Sequence, residues 1–239
     1  MARQLSLFLS ESKKVLPIMK RILLLAALMS SATFAAIAQK YKAIIKTDAG
    51  TIEAFLYNNT PQHTKNFVKL AKSHFYEGVL FHRVIPDFMI QSGDPNSKKT
   101  KAGEMLGDGD VGYKVPAEFR YEYFHKRGAL AAARDNNPEK ASSGCQFYIV
   151  DGKKYTDAEL DQVEKRNNKK IPDAQRKIYK TIGGTPFLDG NYTVFGEVTK
   201  GMDVVEKIVN QPRNQADRPN KDQHIQSVKI KKKWLGIWW

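Results

Sequence analysis

Apolar and polar positions alternate through Tyr41–Tyr57, "YKAIIKTDAGTIEAFLY", on either side of Asp48-Ala49-Gly50, a pattern that predicts a β-hairpin. The next stretch changes period. Thr60 is a candidate N-cap and Pro61 suits a first helical turn. Phe67, Leu70, Ala71 and His74–Phe75 recur at helical spacing until Gly78. Then comes Phe81–Asp94, "FHRVIPDFMIQSGD", which is neither a continuous apolar run nor a clean alternation. Read as two short strands broken at Pro86-Asp87, it places Phe81, Arg83 and Ile85 on one face. Met89 and Gln91 follow on one face, with Phe88 and Ile90 opposite. Residues 95–118 are polar and glycine-rich and predict a long loop. "RGALAAAR" and "GCQFYIV" predict short strands around the polar loop "DNNPEKASS", and "NYTVFGEV" (Asn191–Val198) predicts another. "GMDVVEKIV" (Gly201–Val209) reads as a short amphipathic helix and "HIQSVKIKKKW" as a final strand.

Residues 151–184 depart from this rhythm. They are charged and helix-favouring, with a capping box at Thr156–Glu159, "TDAE", and a second helix running from near Pro172 to Gly183-Gly184. The segment is too short to bury a core of its own, so it predicts a helical insertion between two strands. Many short strands with two helices outside the insertion point to a closed antiparallel barrel, which leaves no open sheet edge.

The first 38 residues follow a different logic. From Met19 the chain has two cations, Lys20 and Arg21, an apolar run over Ile22–Met29, and small residues ending in Ala36-Ile37-Ala38. This is the three-part pattern of a secretory signal cleaved near Ala38. The apolar core falls short of the about 20 residues a membrane span requires, which favours a cleaved signal over a retained anchor. The 18 residues ahead of Met19 fit an upstream start chosen in error. The expectation is an exported, periplasmic protein whose mature domain covers residues 39–239. Removing residues 1–38 takes away five cations and one anion, which lowers the formal net charge from +14 to +10. In an exported chain that balance reads as a solvated basic surface, not as a nucleic-acid footprint.

Cys145 is the single cysteine, so no intrachain disulfide is possible; it reads as a small packed residue. The chain has no H-E-x-x-H, C-x-x-C or G-x-S-x-G, and its five histidines are scattered, so neither a metal nor a cofactor is expected. "GDGDVG" (Gly107–Gly112) matches G-x-G-x-x-G formally. It is no phosphate cradle, because it does not join a strand to a helix and Asp108 and Asp110 would repel phosphate.

"FHRVIPDFMIQSGD", "GALAAAR", "GCQFYIV" and "FLDGNYTVFGEV", in that order, resemble the successive signatures of the cyclophilins, the peptidyl-prolyl cis-trans isomerases. The resemblance runs from about Tyr41 to Lys232, apart from the insertion. It implies an eight-stranded antiparallel β-barrel with a helix over each open end, acting as a monomer on proline-containing unfolded or partly folded polypeptides. It places the catalytic arginine at Arg83, preceded by His82. It lines a proline groove with Phe88, Met89, Tyr148 and Leu188, and sets Gln91 and Gln146 against the substrate backbone. Ala133 and Arg134 fall at the groove edge. Phe187 stands where many eukaryotic members carry tryptophan and Tyr192 where they carry histidine, as in the exported bacterial branch. The missing indole N–H weakens the case for cyclosporin-type ligands. Because one fold supports several functions, a proline-segment binding module or chaperone without isomerase activity is the alternative. The "WLGIWW" tail, residues 234–239, is expected to dock on its own barrel.

Overall fold

The computed structural model describes residues 40–101, 104–234 and 237–239, with the side chain of Trp234 left aside. The signal segment and its cleavage point lie outside the described residues. The strands are β1 (Tyr41–Thr47), β2 (Gly50–Leu56), β3 (Phe81–Ile85), β4 (Met89–Ser92), β5 (Lys114–Val115), β6 (Ala129–Ala132), β7 (Ser142–Ser143), β8 (Phe147–Val150), β9 (Val194–Lys200), β10 (Ile225–Trp234) and β11 (Ile237–Trp238). Among the described residues four α-helices accompany them: α1 (Pro61–Lys72), α2 (Asp157–Asn167), α3 (Asp173–Thr181) and α4 (Met202–Val209).

The main sheet has nine strands in the order β11-β10-β1-β2-β9-β6-β8-β4-β3, and all the pairings in it are antiparallel. Eight of them, β10 round to β3, form the curled wall. The ninth, β11, is the tail folded back on β10. The ends of the wall meet without a full ladder. Leu80 and His224 form an isolated bridge, the Phe81 N–H donates to the Gln223 carbonyl, and Gly78 and Val79 exchange bonds with Ile225. The expectation of an eight-stranded closed barrel is thus refined to a nine-stranded sheet closed by a few bonds. β5 and β7 form a separate two-stranded ribbon inside the regions read as loops.

Alternation explains the core. Ala43, Ile45, Ile52, Ala54 and Leu56 of the first hairpin point inward together with Val84, Ile90, Leu130, Phe147, Ile149 and Phe195. Helix α1 adds Phe67, Leu70 and Ala71, and α4 adds Val204, Val205, Ile208 and Val209 to the same cluster. These are the two helices expected outside the insertion.

Helix α1 begins at Pro61, as read, but Thr60 is not its side-chain cap. The Thr60 hydroxyl turns back to the Tyr57 carbonyl. The carboxylate of Glu118 accepts from the N–H groups of Gln62 (3.1 Å) and His63 (2.9 Å) instead, and from the His63 ring at 2.7 Å. A remote anion thus satisfies the free donors of the first turn. The capping box of α2 is formed as read: Glu159 N–H donates to the Thr156 hydroxyl and the Glu159 carboxylate accepts from the Thr156 N–H. Helix α1 ends at Lys72, before His74–Phe75, with His74 in the left-handed region.

The insertion docks on the rest of the chain. Leu160 and Tyr179 are fully buried, and Asn167 donates to the Phe187 carbonyl at 3.1 Å. Arg176 holds the pair together through Asp157, Asp161 and Glu164. The tail docks in part, as expected: Trp238 stacks on Phe55 at 5.5 Å, while Ile237 and Trp239 face solvent.

Candidate active site

The motif that opens at Phe81 does not keep the simple alternation of two strands. Pairing runs Phe81 with Ser92 and then Arg83 with Gln91, so β3 carries a bulge at His82. The bulge resets the phase. Phe81 and Val84 belong to the barrel core, whereas Ile85 packs on a second apolar cluster outside the wall. Phe81 therefore does not share a face with Arg83 and Ile85, contrary to the sequence reading. Phe88 also escapes alternation because it sits in the turn. Asp87 adopts φ 60°, and the Phe88 N–H donates to the Ile85 carbonyl. Asp151 anchors that turn by accepting from the Asp87 N–H at 3.0 Å, and the Phe88 carbonyl accepts from Asp151 and Gly152. The Phe88 ring is thereby brought to the same side as Met89 and Gln91.

Strands β6 and β8 show why their sequences are apolar throughout. Leu130, Ala132, Phe147 and Ile149 face the barrel core. Ala129, Ala131, Tyr148 and Val150 face the outer cluster with Met89 and Val194. Ala133, just past the end of β6, is the small residue at the edge of the space above the sheet. The result is a cleft of about 640 Å³ lined by His82, Arg83, Phe88, Met89, Gln91, Leu106, Gly107, Ala133, Arg134, Tyr148, Leu188 and Tyr192.

Ten of the twelve residues singled out in the sequence meet here. Gln146 and Phe187 do not line the cleft. Gln146 stands behind it: its amide N–H₂ donates to the carbonyls of Gly107 (2.7 Å) and Gly109 (2.8 Å), and its oxygen accepts from Gln91 at 2.9 Å. Phe187 supports the rim, its ring 5.7 Å from that of Phe88 and 5.5 Å below the Arg166 guanidinium. Leu106 and Gly107 were missed because they lie in a loop with no periodic signal. The rejected phosphate motif has its own explanation. The Asp94 carboxylate accepts from the N–H groups of Gly107 and Asn96, and a Cβ on Gly109 would sit 2.0 Å from Asp94 Oδ1. A carboxylate of the protein itself fills the turn.

The polar groups are held in graded fashion. The Arg83 side chain is 42 % exposed, lies 5.8 Å from the Phe88 ring centre, and approaches Asp217 only to 3.8 Å, beyond hydrogen-bond reach. Arg134 is fixed: its Nε donates to the Asn191 carbonyl at 2.8 Å and its guanidinium stacks 4.8 Å over Tyr192. The Tyr148 hydroxyl, added to an otherwise apolar floor, meets His125 Nε2 at 2.9 Å. His125 Nδ1 meets Asp189 at 2.8 Å, and Asp189 accepts from the Tyr179 hydroxyl of α3. Burial pushes Tyr148 well above the usual phenol range, so it stays neutral. His82 is held down to about 4 by burial, against the opposing pull of Asp94. Cys145 is buried and pushed up to about 11, also by burial, which leaves it a packed thiol.

The family model for cyclophilin-type peptidyl-prolyl cis-trans isomerases matches residues 42–230. This chain belongs to the cyclophilins. A Staphylococcus saprophyticus protein assigned as a peptidyl-prolyl cis-trans isomerase is 37 % identical over 190 residues, covering 79 % of this chain and 91 % of that one. A Staphylococcus haemolyticus relative with the same assignment is 35 % identical over 193 residues, covering 80 % and 92 %. Among solved structures, a Cryptosporidium parvum cyclophilin-type isomerase is similar in fold, with a TM-score of 0.58 at 22 % identity over 81 % of this cyclophilin and 98 % of that chain. The same protein solved in the presence of the dipeptide Ala-Pro gives a TM-score of 0.57 at 23 % identity, covering 79 % and 98 %. Among the described residues, no helix is long and apolar enough to cross a membrane, and no three His, Cys, Asp or Glu side chains gather as a metal site.

Proposed function

We propose that this cyclophilin accelerates rotation about X–Pro bonds, with Arg83 as the catalytic group and the cleft beside it as the proline site. An X–Pro amide resists rotation because the nitrogen lone pair is delocalised into the carbonyl, a barrier of roughly 18–20 kcal/mol. Rotation localises that pair on nitrogen. A donor aimed at the nitrogen therefore binds the twisted state more strongly than either planar one, which is the condition for catalysis. No nucleophile, metal or cofactor enters this chemistry. The observation that carries the reading is the state of Arg83. Its permanently charged fork stands at the edge of an apolar cleft, without a hydrogen-bonded carboxylate to occupy it.

Phe88, Met89, Tyr148 and Leu188 then hold the pyrrolidine ring. Gln91 keeps its oxygen for the substrate backbone because its N–H₂ is engaged by Gln146. Gln146 acts through Gln91 and the 107–109 loop, while Ala133, Arg134 and Tyr192 bound the far side, His82 shapes the near one and Phe187 braces the rim. The substrates are proline-containing unfolded or partly folded polypeptides, met by a monomer outside the cytoplasm. Export is supported by the Met19–Ala38 pattern and by the position of β1, which starts at Tyr41, just beyond the cleavage point near Ala38. The test is direct: residues 39–239 should accelerate cis-to-trans conversion of a short proline peptide. A folded protein with no acceleration would refute the reading. Mass spectrometry of the protein recovered from a periplasmic fraction should find Gln39 as the first residue; an intact N-terminus would refute cleavage.

A further inference from the structure

We propose that a second cleft, built between the helical insertion and the Phe119–Phe124 segment, is a subsite for the polypeptide flanking the proline, and that it selects an acidic side chain. This rests on the isomerase reading above and adds to it a substrate preference.

The cleft spans about 770 Å³ of space open to solvent and has two walls of different origin. Phe119, Arg120, Tyr121 and Tyr123 supply one; Lys169 and Ile171 of the α2–α3 connection are central to the other. It adjoins the proline cleft, since Tyr192 lines both. A chain bound at the proline site therefore has only one ring to pass before its next side chains reach the insertion.

The lining indicates what it would take. Tyr121 is 71 % exposed, although its backbone is fixed, the Tyr121 carbonyl accepting from Gln175 of α3 at 2.9 Å. A large ring left in solvent on an anchored backbone is a ready apolar contact for a passing chain. The charges favour an anion. Arg120, Lys169 and Lys170 line the cleft against a single carboxylate, Asp189. That carboxylate is already engaged by His125 and the Tyr179 hydroxyl. The Lys170 ammonium is paired with Glu164 at 2.6 Å. Arg120 spends one N–H on the Asn59 carbonyl, and its only partners among the described residues are neutral. Lys169 has no carboxylate within ion-pair reach among the described residues. Two cations thus remain uncompensated beside exposed aromatic rings. An extended segment carrying Glu or Asp, with apolar neighbours, satisfies both features.

The experiment uses residues 39–239 and a set of labelled eleven-residue peptides with a central proline, in which a single glutamate is walked from one to five residues on either side. Isomerisation kinetics and fluorescence anisotropy are read on every peptide, beside a proline tetrapeptide that carries no charged side chain. One or two adjacent glutamate positions should improve KM and Kd by roughly five-fold, the scale of partly exposed ion pairs, with kcat unchanged. Raising the salt to 0.5 M should erase the gain. The double variant Arg120→Glu and Lys169→Glu should lose the preference or turn it toward lysine, while tetrapeptide turnover stays at the wild-type value. No glutamate preference at any position, in either kinetics or anisotropy, overturns the subsite. A preference that survives the double variant overturns its assignment to this cleft. If the tetrapeptide itself is not turned over, the isomerase reading falls, and anisotropy with the glutamate series still decides the subsite by the same criteria.

Discussion

Strands β4, β6 and β8 present two faces that differ in everything except burial. Inward stand Ile90, Leu130, Ala132, Phe147 and Ile149, among aliphatic and aromatic neighbours from both capping helices. Outward stand Met89, Ala129, Ala131, Tyr148 and Val150, also buried, but under a cleft that remains open above them. The inner face is closed by packing and contains little polar chemistry. The outer face pairs apolar floor with Gln91 and Arg83, whose hydrogen-bonding capacity is not filled among the described residues. Burial alone does not locate a site in this fold. What distinguishes the outer face is apolar surface left uncovered next to polar groups whose partners are incomplete.

That contrast can be broken by substitution. Phe147→Ala, on the inner face, should cost about 3–5 kcal/mol, the loss of a fully buried ring and the cavity it leaves. Chemical denaturation measures it; a cost below 1 kcal/mol would mean the inner face is not the main source of stability.

Acid should act on the outer face, because His82 lies buried at the bulge on the cleft side. Its folded value of about 4 lies below the ordinary 6.5. Between these values the unfolded chain binds the proton and the folded chain does not, so stability falls as pH falls through that window and is level above it. The loss should reach about 3 kcal/mol by pH 4. His63, also lowered by burial against the opposing pull of Glu118, acts in the same direction. His82→Gln should flatten the slope measured by denaturation at stepped pH; an unchanged slope would place the titration elsewhere.

The smallest effect is expected at Tyr148→Phe. It removes the hydroxyl that meets His125 and should cost about 1 kcal/mol while leaving the ring, and hence proline binding, in place. A large loss in kcat/KM would show that the Tyr148–His125–Asp189 chain does more than satisfy a buried hydroxyl.

Much of this was legible in the chain. The first hairpin, α4 and the capping box of α2 follow from short-range pattern, because their stabilising contacts lie within a few residues. Ten lining residues were legible because four ordered motifs carry them. What stayed hidden depends on contacts remote in sequence. Glu118 caps a helix 55 residues away. The bulge at His82 is set by the pairing of β3 with β4, and it moved Phe81 to the core face although the alternation of β3 suggested otherwise. Leu106 and Gly107 reach the cleft only because Gln146 and Asp94 hold their loop from behind. Gln146 itself was read as a substrate contact, since nothing in its local sequence shows that its amide is already occupied.

The central claim is that chemistry and stability are divided between the two faces, and Arg83→Ala tests it most directly when isomerisation of a proline peptide and thermal unfolding are measured on the same preparation. Loss of one transition-state donor should lower kcat/KM by about 10²-fold while the melting temperature stays close to the wild-type value, since the side chain is 42 % exposed and its contacts, Asp217 at 3.8 Å and the Phe88 ring at 5.8 Å, are loose. A folded Arg83→Ala protein with full activity would contradict the assignment.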